Sequence, residues 1–465
     1  MNRNNFLPHV AIALVLILVA AFAGQVRNWR RHWRSHRRPV VLRPYENPGP
    51  GQAERPKSRK TELFVRFRPE VSEERIQTIT ERLHDRIEDH TEAVSGLDLI
   101  EDEDGKDAEV LLADYRALPE VEYAERIFDI KLDEAGESFK PVVPNDPRFS
   151  EQWALANEGQ NGGKAGADIS ALRAWATTRG TEKVVVAVLD SGVDYKHPDL
   201  ENNIWKRPEN IMEYQDKDLG AIDDVRGYNA IDNDGDPMDE NGHGTHCAGI
   251  IGAEGGNNEG ITGVNWTVQI MPLRFMDATG AGTTKDAIEA INYVIDRKKA
   301  GVNVRVISAS WGSTQKSRAL EDVIKKAYEA GILFVAASGN SSVDTDKNPH
   351  YPSSYNLGNI ISVAALDRND QLTSFSNYGA KTVHIAAPGK DILSTWLDNG
   401  FRESSGTSMA TPVVAGVAAL VLSRNPNISV DELRKLLLDS VDKLPSVKGK
   451  VVSGGRINAA KAVGS

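Results

Sequence analysis

Lys183-Val-Val-Val-Ala-Val-Leu-Asp190 is apolar at every position between its charged ends, so neither side of it is suited to water. A strand of that kind has both faces covered, as in a parallel sheet held between helical layers. Four further short, largely apolar runs follow: Gln269 to Phe275, Val304 to Ser310, Ile332 to Ala337 and Asn359 to Ala365. Helical patterns separate them, at Thr284 to Lys299 (Ile288, Ile291, Ile295) and at Leu320 to Ala330 (Val323, Ile324, Ala327). Strands alternating with amphipathic helices predict an α/β fold with a central, mostly parallel sheet. Ligand sites in such sheets lie at the carboxyl ends of the strands.

Outward from that core the chain changes character. Its 465 residues carry 55 Lys+Arg against 66 Asp+Glu, a net charge of −11, and 40% are hydrophobic. That composition excludes a disordered chain and a general nucleic-acid binder, and it allows two or three folding units. The single cysteine excludes a disulfide within the chain, and with it a small stapled scaffold. At the N-terminus an apolar run from Val10 to Ala23 ends in Ala21-Phe-Ala23, which predicts a signal peptide over residues 1–23, cut after Ala23, and hence export. The run is short for a membrane span, but Arg27, Arg30, Arg31 and Arg34 follow at once, so an uncleaved anchor attaching through residues 6–23 is the alternative. Residues 24–60 read as a basic, Pro-rich linker. Residues 61–135 read as a small acidic α+β unit, with a strand at Glu62 to Arg68, a helix from Val71 to Ile87, and strands around Glu109 to Leu112 and Val121 to Ile130. Pro141-Val-Val-Pro-Asn-Asp-Pro147 breaks both periodicities and opens the large unit, residues 141–465.

Three stretches of the large unit carry chemistry. Asp190, at the end of its strand, precedes Ser191-Gly192; taken alone it is a common strand-end residue. His243, in Asn241-Gly-His-Gly-Thr-His-Cys-Ala-Gly249, enters a small-residue helix from a glycine-flanked turn, where a lone histidine is more often structural. Ser408, in Gly406-Thr-Ser-Met-Ala-Thr-Pro412, opens an apolar helix, where a lone serine is most simply a cap. Together they run Asp, His, Ser, the chain order known from subtilisin. The segments LDSGVDYKHPDL (Leu189 to Leu200), NGHGTHCAG and GTSMATP resemble those of the subtilisin-like serine peptidases, the subtilases, and the likeness covers roughly residues 141–465.

The resemblance implies a three-layer subtilisin-like fold and a serine endopeptidase working through an acyl-enzyme. Ser408 would be the nucleophile, His243 its base and Asp190 the group that orients His243. Asn340, which ends ILFVAASGN, would donate to the oxyanion together with the Ser408 N–H. Protein or peptide substrates would add as a strand along Ser310, Trp311 and Gly312. Ala337, Ser338 and Gly339 match the wall of the primary specificity pocket, and their small size suggests an open, apolar-tolerant slot. His350, by resemblance near the pocket floor, departs from the small residue often found there. His246 is read as structural, and Cys247 as a buried thiol of the thermitase- and proteinase K-like branch.

The loop Asn229 to Asp239 places Asp232, Asp234 and Asp236 two apart, but Pro237 and His243 stand where an EF-hand needs Gly and Glu. By resemblance this loop binds Ca2+ in a structural role; a solvated acidic loop is the plainer alternative. A second Ca2+ site is suggested by Asp146, Asp199 and Asn258. Gly159-Gln-Asn-Gly-Gly-Lys164-Ala165 has the wrong spacing for a phosphate-binding loop. The small unit, with ELFVRFRPEV and LPEVEYAERI, is similar to a subtilase propeptide, which implies a zymogen that cleaves itself between Asp133 and Asn145 and carries its own inhibitor. A monomer is expected. The rival readings are a catalytically silent subtilase-fold binding module and an intracellular, membrane-anchored processing protease.

Overall fold

The computed structural model describes residues 61–91, 94–127 and 141–465. The signal or anchor segment, the linker and most of the expected self-cleavage segment lie outside the described residues. Two compact units divide the chain, the first ending at Asp133.

In the first unit, β1 (Glu62–Phe67), α1 (Glu73–Leu83), β2 (Asp85–His90), β3 (Leu97–Asp102), α2 (Ala108–Arg116) and β4 (Val121–Arg126) follow in order. The antiparallel sheet runs β2-β3-β1-β4. Alternate residues of β1, Leu63, Val65 and Phe67, pack with Ile76, Ile79 and Leu111 from the two helices. Two expectations need correction. The helix predicted to reach Ile87 stops at Leu83, because His84 takes a left-handed conformation with φ 63°, and Ile87 falls on β2. The strand expected around Glu109 to Leu112 is part of α2, whose start Asp107 caps by accepting the Glu109 N–H at 2.9 Å. An apolar run that short fits either element, and the cap decides it.

The second unit is built on a nine-stranded sheet of order β16-β17-β13-β12-β11-β10-β5-β9-β8. Its strands are β5 (Gly180–Asp190), β8 (Tyr228–Asn229), β9 (Thr267–Arg274), β10 (Val304–Ala309), β11 (Leu333–Ala337), β12 (Ile360–Leu366), β13 (Ile385–Pro388), β16 (Val441–Lys443) and β17 (Gly455–Ile457). Every pairing is parallel except β16 with β17. Two hairpins stand apart from the sheet, β6 (Tyr214–Asp216) with β7 (Gly220–Ile222), and β14 (Ile392–Trp396) with β15 (Gly400–Ser404).

Period-two alternation along β5 divides the core into two layers. Val184, Val186 and Val188 face the helices α3 (His243–Gly252) and α6 (Thr407–Arg424), while Val185, Ala187 and Leu189 face α4 (Thr284–Lys299) and α5 (Arg318–Glu329). The predicted α/β fold, helices on both sides of a mostly parallel sheet, is the one observed. Thr283 and Ser317 cap α4 and α5 by accepting the Asp286 and Leu320 N–H groups. α6 is long and apolar enough to cross a membrane, but 83% of it is buried inside this unit, as for a core helix.

Candidate active site

β5 ends at Asp190, whose side chain is 1% exposed, and the chain turns sharply at Ser191-Gly192. Helix α3 starts beside that turn. A Cβ on Gly244 would lie 2.0 Å from the Gly192 carbonyl oxygen and 3.1 Å from the Asp190 Cβ, so only glycine lets the helix approach this closely. The approach puts His243 Nδ1 2.7 Å from Asp190 Oδ1, which also accepts the Ser191 N–H at 2.8 Å. Burial would lower the His243 pKa, but the Asp190 carboxylate outweighs it and holds the imidazole well above its ordinary value.

Asp239 holds this junction together. Its buried carboxylate accepts from the Asn241 and Gly242 N–H groups (both 2.9 Å), from the Thr245 N–H and hydroxyl (2.9 and 2.6 Å) and from Ser191 Oγ (2.9 Å). It thereby caps α3 and ties it to the turn after β5. Sequence reasoning passed over Asp239; its signal was an Asp just ahead of a helix start.

Ser408 is the second residue of α6, where a backbone N–H has no intrahelical partner. Its Oγ donates to the Ser310 carbonyl at 3.0 Å, and its own carbonyl accepts from Ser310 Oγ at 2.8 Å. Asn340 follows β11. Its Oδ1 accepts from the Thr407 N–H and hydroxyl, each at 2.9 Å, which fixes the side chain at the start of α6. A Cβ on Gly406 would sit 3.4 Å from Asn340 Nδ2, 3.5 Å from the Ser408 nitrogen and 3.7 Å from the Ser408 Cβ, so the two nitrogens lie close together beside the start of α6. His243, Asn340 and Ser408 line one groove with Trp396 and Arg402 of the β14–β15 hairpin, which the sequence reading did not anticipate. On its other side His243 lines a second hollow with Ser310, Trp311 and Gly312. Trp311 is fixed by its indole N–H, which donates to the Leu189 carbonyl at 2.9 Å.

Cys247 is buried one turn below His243, with Sγ 4.0 Å from His243 Nδ1 and 3.6 Å from the Ser408 carbonyl oxygen. Burial pushes its pKa up, so it stays a thiol. His246 points the other way and bonds through Nε2 to the Ile392 and Arg402 carbonyls, with burial pushing its pKa down to about 4. Ala337, Ser338 and Gly339 lie at the end of β11, but the slot they border is not open along its length: the His350 imidazole lies against Gly339 and Gly312.

The candidate Ca2+ ligands fall into two groups. Asp232, Asp234 and Asp236 are not brought together: among the described residues only Asp190, His243 and Cys247 offer three such donor atoms within 4.8 Å of one another. Their carboxylates accept instead from Asn229 Nδ2, the Asp236 N–H and the Tyr195 hydroxyl. Asp146 and Asp199 are buried near one another. Asp146 Oδ2 accepts the Gly256 N–H at 2.8 Å, while Oδ1 is buried with no partner. Burial, with Asp146 adding to it, pushes the Asp199 pKa up to about 7. A partnerless buried carboxylate oxygen next to a second carboxylate fits a hard cation. Asn258, left-handed at φ 63°, adjoins this site through its N–H, which donates to Asn145 Oδ1 at 3.2 Å.

Residues 181–455 match the pattern of the subtilase family. The chain is 40% identical over 290 residues to a thermophilic serine proteinase of Bacillus sp. strain AK1, covering 62% of this chain and 64% of that protein. It is 37% identical over 321 residues to thermitase of Thermoactinomyces vulgaris, covering 69% of this chain and 99% of thermitase. With subtilisin-like protease 1 of Plasmodium falciparum the identity is 36% over 299 residues, 60% of this chain and 43% of that one. The chain thus spans less than two thirds of the Bacillus and Plasmodium relatives. Among solved structures, a protease from Pseudoalteromonas arctica PAMC 21717 superposes with a TM-score of 0.57 at 28% identity, covering 70% of this chain and 99% of that one. With a family pattern running from β5 to β17 and an aspartate, a histidine and a serine gathered at one end of its sheet, the chain belongs to the subtilase family.

Proposed function

We propose that the chain is a serine endopeptidase that hydrolyses peptide bonds through Asp190, His243 and Ser408. The observation that carries this reading is His243, bonded to Asp190 through Nδ1, lining one groove with Ser408 and Asn340, whose Nδ2 lies close to the Ser408 nitrogen. Nδ1 of His243 is taken by Asp190, so Nε2 is the base. The Ser408 hydroxyl leaves the Ser310 carbonyl, gives its proton to Nε2 and attacks the substrate carbonyl carbon; hydroxyl contacts of this kind often tighten only with substrate bound. The oxyanion that forms accepts from Asn340 and the Ser408 N–H. The imidazolium, stabilised by Asp190, returns the proton to the departing amine, and water repeats the sequence on the acyl-enzyme. Substrate backbone pairs along Ser310, Trp311 and Gly312. The relatives' names, serine proteinase and subtilisin-like protease, support the reaction class.

The first unit is proposed as an inhibitory propeptide, removed by self-cleavage between Asp133 and Asn145; its own core and its place directly before the peptidase unit support this. Residues 1–23 are proposed to direct export. Ca2+ would be held structurally, by Asp146 and Asp199, and would take no part in bond breaking. The test is intact mass spectrometry of residues 24–465 beside the Ser408→Ala form, with fluorophosphonate labelling. A wild-type fragment starting between Asp133 and Asn145, and label on Ser408, are expected. Two intact, unlabelled proteins would replace this reading with the silent binding module.

A further inference from the structure

Asp239 lies four residues before His243 and is only 4% exposed, and its carboxylate does more than a helix cap requires. A cap satisfies one or two N–H groups at a helix start, which Asn, Ser or Thr does as well without burying a charge. Here Oδ1 accepts from the Asn241 and Gly242 N–H groups and from Ser191 Oγ, each at 2.9 Å, and Oδ2 accepts from the Thr245 N–H and hydroxyl at 2.9 and 2.6 Å. Five donors fill the roughly four lone-pair sites of a carboxylate, a demand that the single oxygen of Asn or Ser does not meet.

The bond to Ser191 leaves the helix and crosses to the turn after β5. There Ser191 Oγ accepts the Gly244 N–H at 3.0 Å, and the Ser191 N–H donates at 2.8 Å to Asp190 Oδ1, the same oxygen that holds His243 Nδ1 at 2.7 Å. A second strut runs back from Thr245, whose Oγ1 donates to Asp239 and accepts the Asp194 N–H at 2.8 Å. One carboxylate therefore grips the residue after Asp190 and, in Gly242 and Thr245, residues on either side of His243. Close packing leaves this segment no slack: a Cβ on Gly192 would lie 2.5 Å from the Pro237 carbonyl oxygen and 3.0 Å from the Asp239 nitrogen. The five bonds go to the neighbours of Asp190 and His243 and not to the pair itself, so any effect on the reaction passes through those neighbours.

We propose that Asp239 is a positioning residue for the reaction: it fixes the turn after β5 against the start of α3, so that Asp190 meets His243 Nδ1 and leaves Nε2 free to serve Ser408. This rests on the proteolytic reading above. The test compares Asp239→Asn, which keeps the size but removes one acceptor oxygen, with the wild type as matured enzyme, active sites being counted by fluorophosphonate so that misfolded molecules drop out. kcat per active site is expected to fall roughly ten- to a hundredfold, the range that a misplacement of about 1 Å commands, with KM changed by less than about twofold. The second readout is the proton between His243 Nδ1 and Asp190, followed by NMR in full-length Ser408→Ala protein, which needs no maturation. Asp239→Asn is expected to shift and broaden that signal and to leave the other ring N–H signals in place. Ser191→Ala is the second variant. It cuts the link to the β5 turn and keeps the four bonds at the helix start, so a smaller fall in kcat and a shift of the same proton are expected even if Asp239→Asn does not fold. An unchanged kcat per active site in a folded Asp239→Asn, or in Ser191→Ala where that variant does not fold, overturns the proposal. So does a lowered kcat with the proton signal unmoved, or a lowered thermal midpoint alone, which would leave Asp239 a helix cap. No turnover together with no label in the wild type overturns the proteolytic reading itself, and this one with it.

Discussion

Pro412 stands four residues after Ser408 in α6 and has no N–H to give to the Ser408 carbonyl. That carbonyl accepts instead from Ser310 Oγ at 2.8 Å and Cys247 Sγ at 3.6 Å. The backbone of the proposed nucleophile is thus held from outside its own helix, by the end of β10 and by α3. Ser310→Ala removes the better donor; the expected outcome is a loss of about 1 kcal/mol in denaturant unfolding, together with a several-fold fall in turnover.

Asn340→Asp keeps the acceptor that holds the Thr407 N–H but loses the amide donors and adds a negative charge where an oxyanion would form. Turnover is expected to fall by at least the roughly 10²–10³ known for loss of such a donor in subtilisin itself, with KM and thermal midpoint little changed. Steady-state kinetics beside calorimetry decide it; a wild-type kcat would remove Asn340 from the site.

Only neutral His243 can act as a base, and its pKa is held well above 6.5. The logarithm of kcat/KM should therefore climb with pH through a midpoint above 6.5. Asp190→Asn should move that midpoint down and cost roughly 10⁴ in turnover. Because the folded pKa is raised, the His243–Asp190 pair stabilises the fold fully below the unfolded pKa, and that contribution is lost as pH rises through the folded value. Activity and this part of stability run in opposite directions with pH.

In the first unit, Asp85 and Asp102 stand opposite one another across β2 and β3, both buried. Burial pushes Asp85 up to about 6 from 3.8; Asp102 adds to the rise, while the Tyr115 hydroxyl at 2.8 Å and Lys106 oppose it. The folded unit therefore holds a proton that the unfolded chain releases. The contribution of Asp85 to its stability is full below pH 3.8 and is lost as pH rises through about 6, amounting to about 2–3 kcal/mol. Hydrogen exchange of first-unit amides in full-length Ser408→Ala protein, corrected for intrinsic rates, should show this slope, and Asp85→Asn should flatten it.

Chelation is expected to lower the thermal midpoint of the large unit, with the stability lost amounting to about 2–3 kcal/mol if Ca2+ had been near a hundredfold above its dissociation constant. Asp146→Asn, which neutralises the carboxylate with a partnerless oxygen, should remove most of the chelator-sensitive increment. An unchanged chelator response in that variant would place the ion elsewhere.

The large unit could be read early because its strands and helices speak in strong periods. Val184 to Leu189 has no polar residue, and the α4 pattern coincides with the helix from end to end. In the first unit, Ile87 lies in helical phase with Ile76 and Leu83, and nothing in the letters announces the left-handed His84 that ends α1. The role of Asp239, beyond the helix-start signal it carries, was hidden for a different reason. Its partners Ser191 and Thr245 come from separate segments that meet only in the fold. The filled slot was hidden in the same way, since small residues at Ala337 to Gly339 say nothing about a ring supplied by His350.

The reacting groups all stand on one rim of the sheet: β5, β10 and β11 deliver them at their carboxyl ends, and α3 and α6 begin there. The turns that lead into β10 and β11 pass through Gly301 and Gly331, both at positive φ with open space around them. They belong to the opposite rim. A tether, a fused binding module or a solid support attached there would leave the cleft facing outward, so the molecule has a working side and a handle, a polarity to exploit in immobilising it.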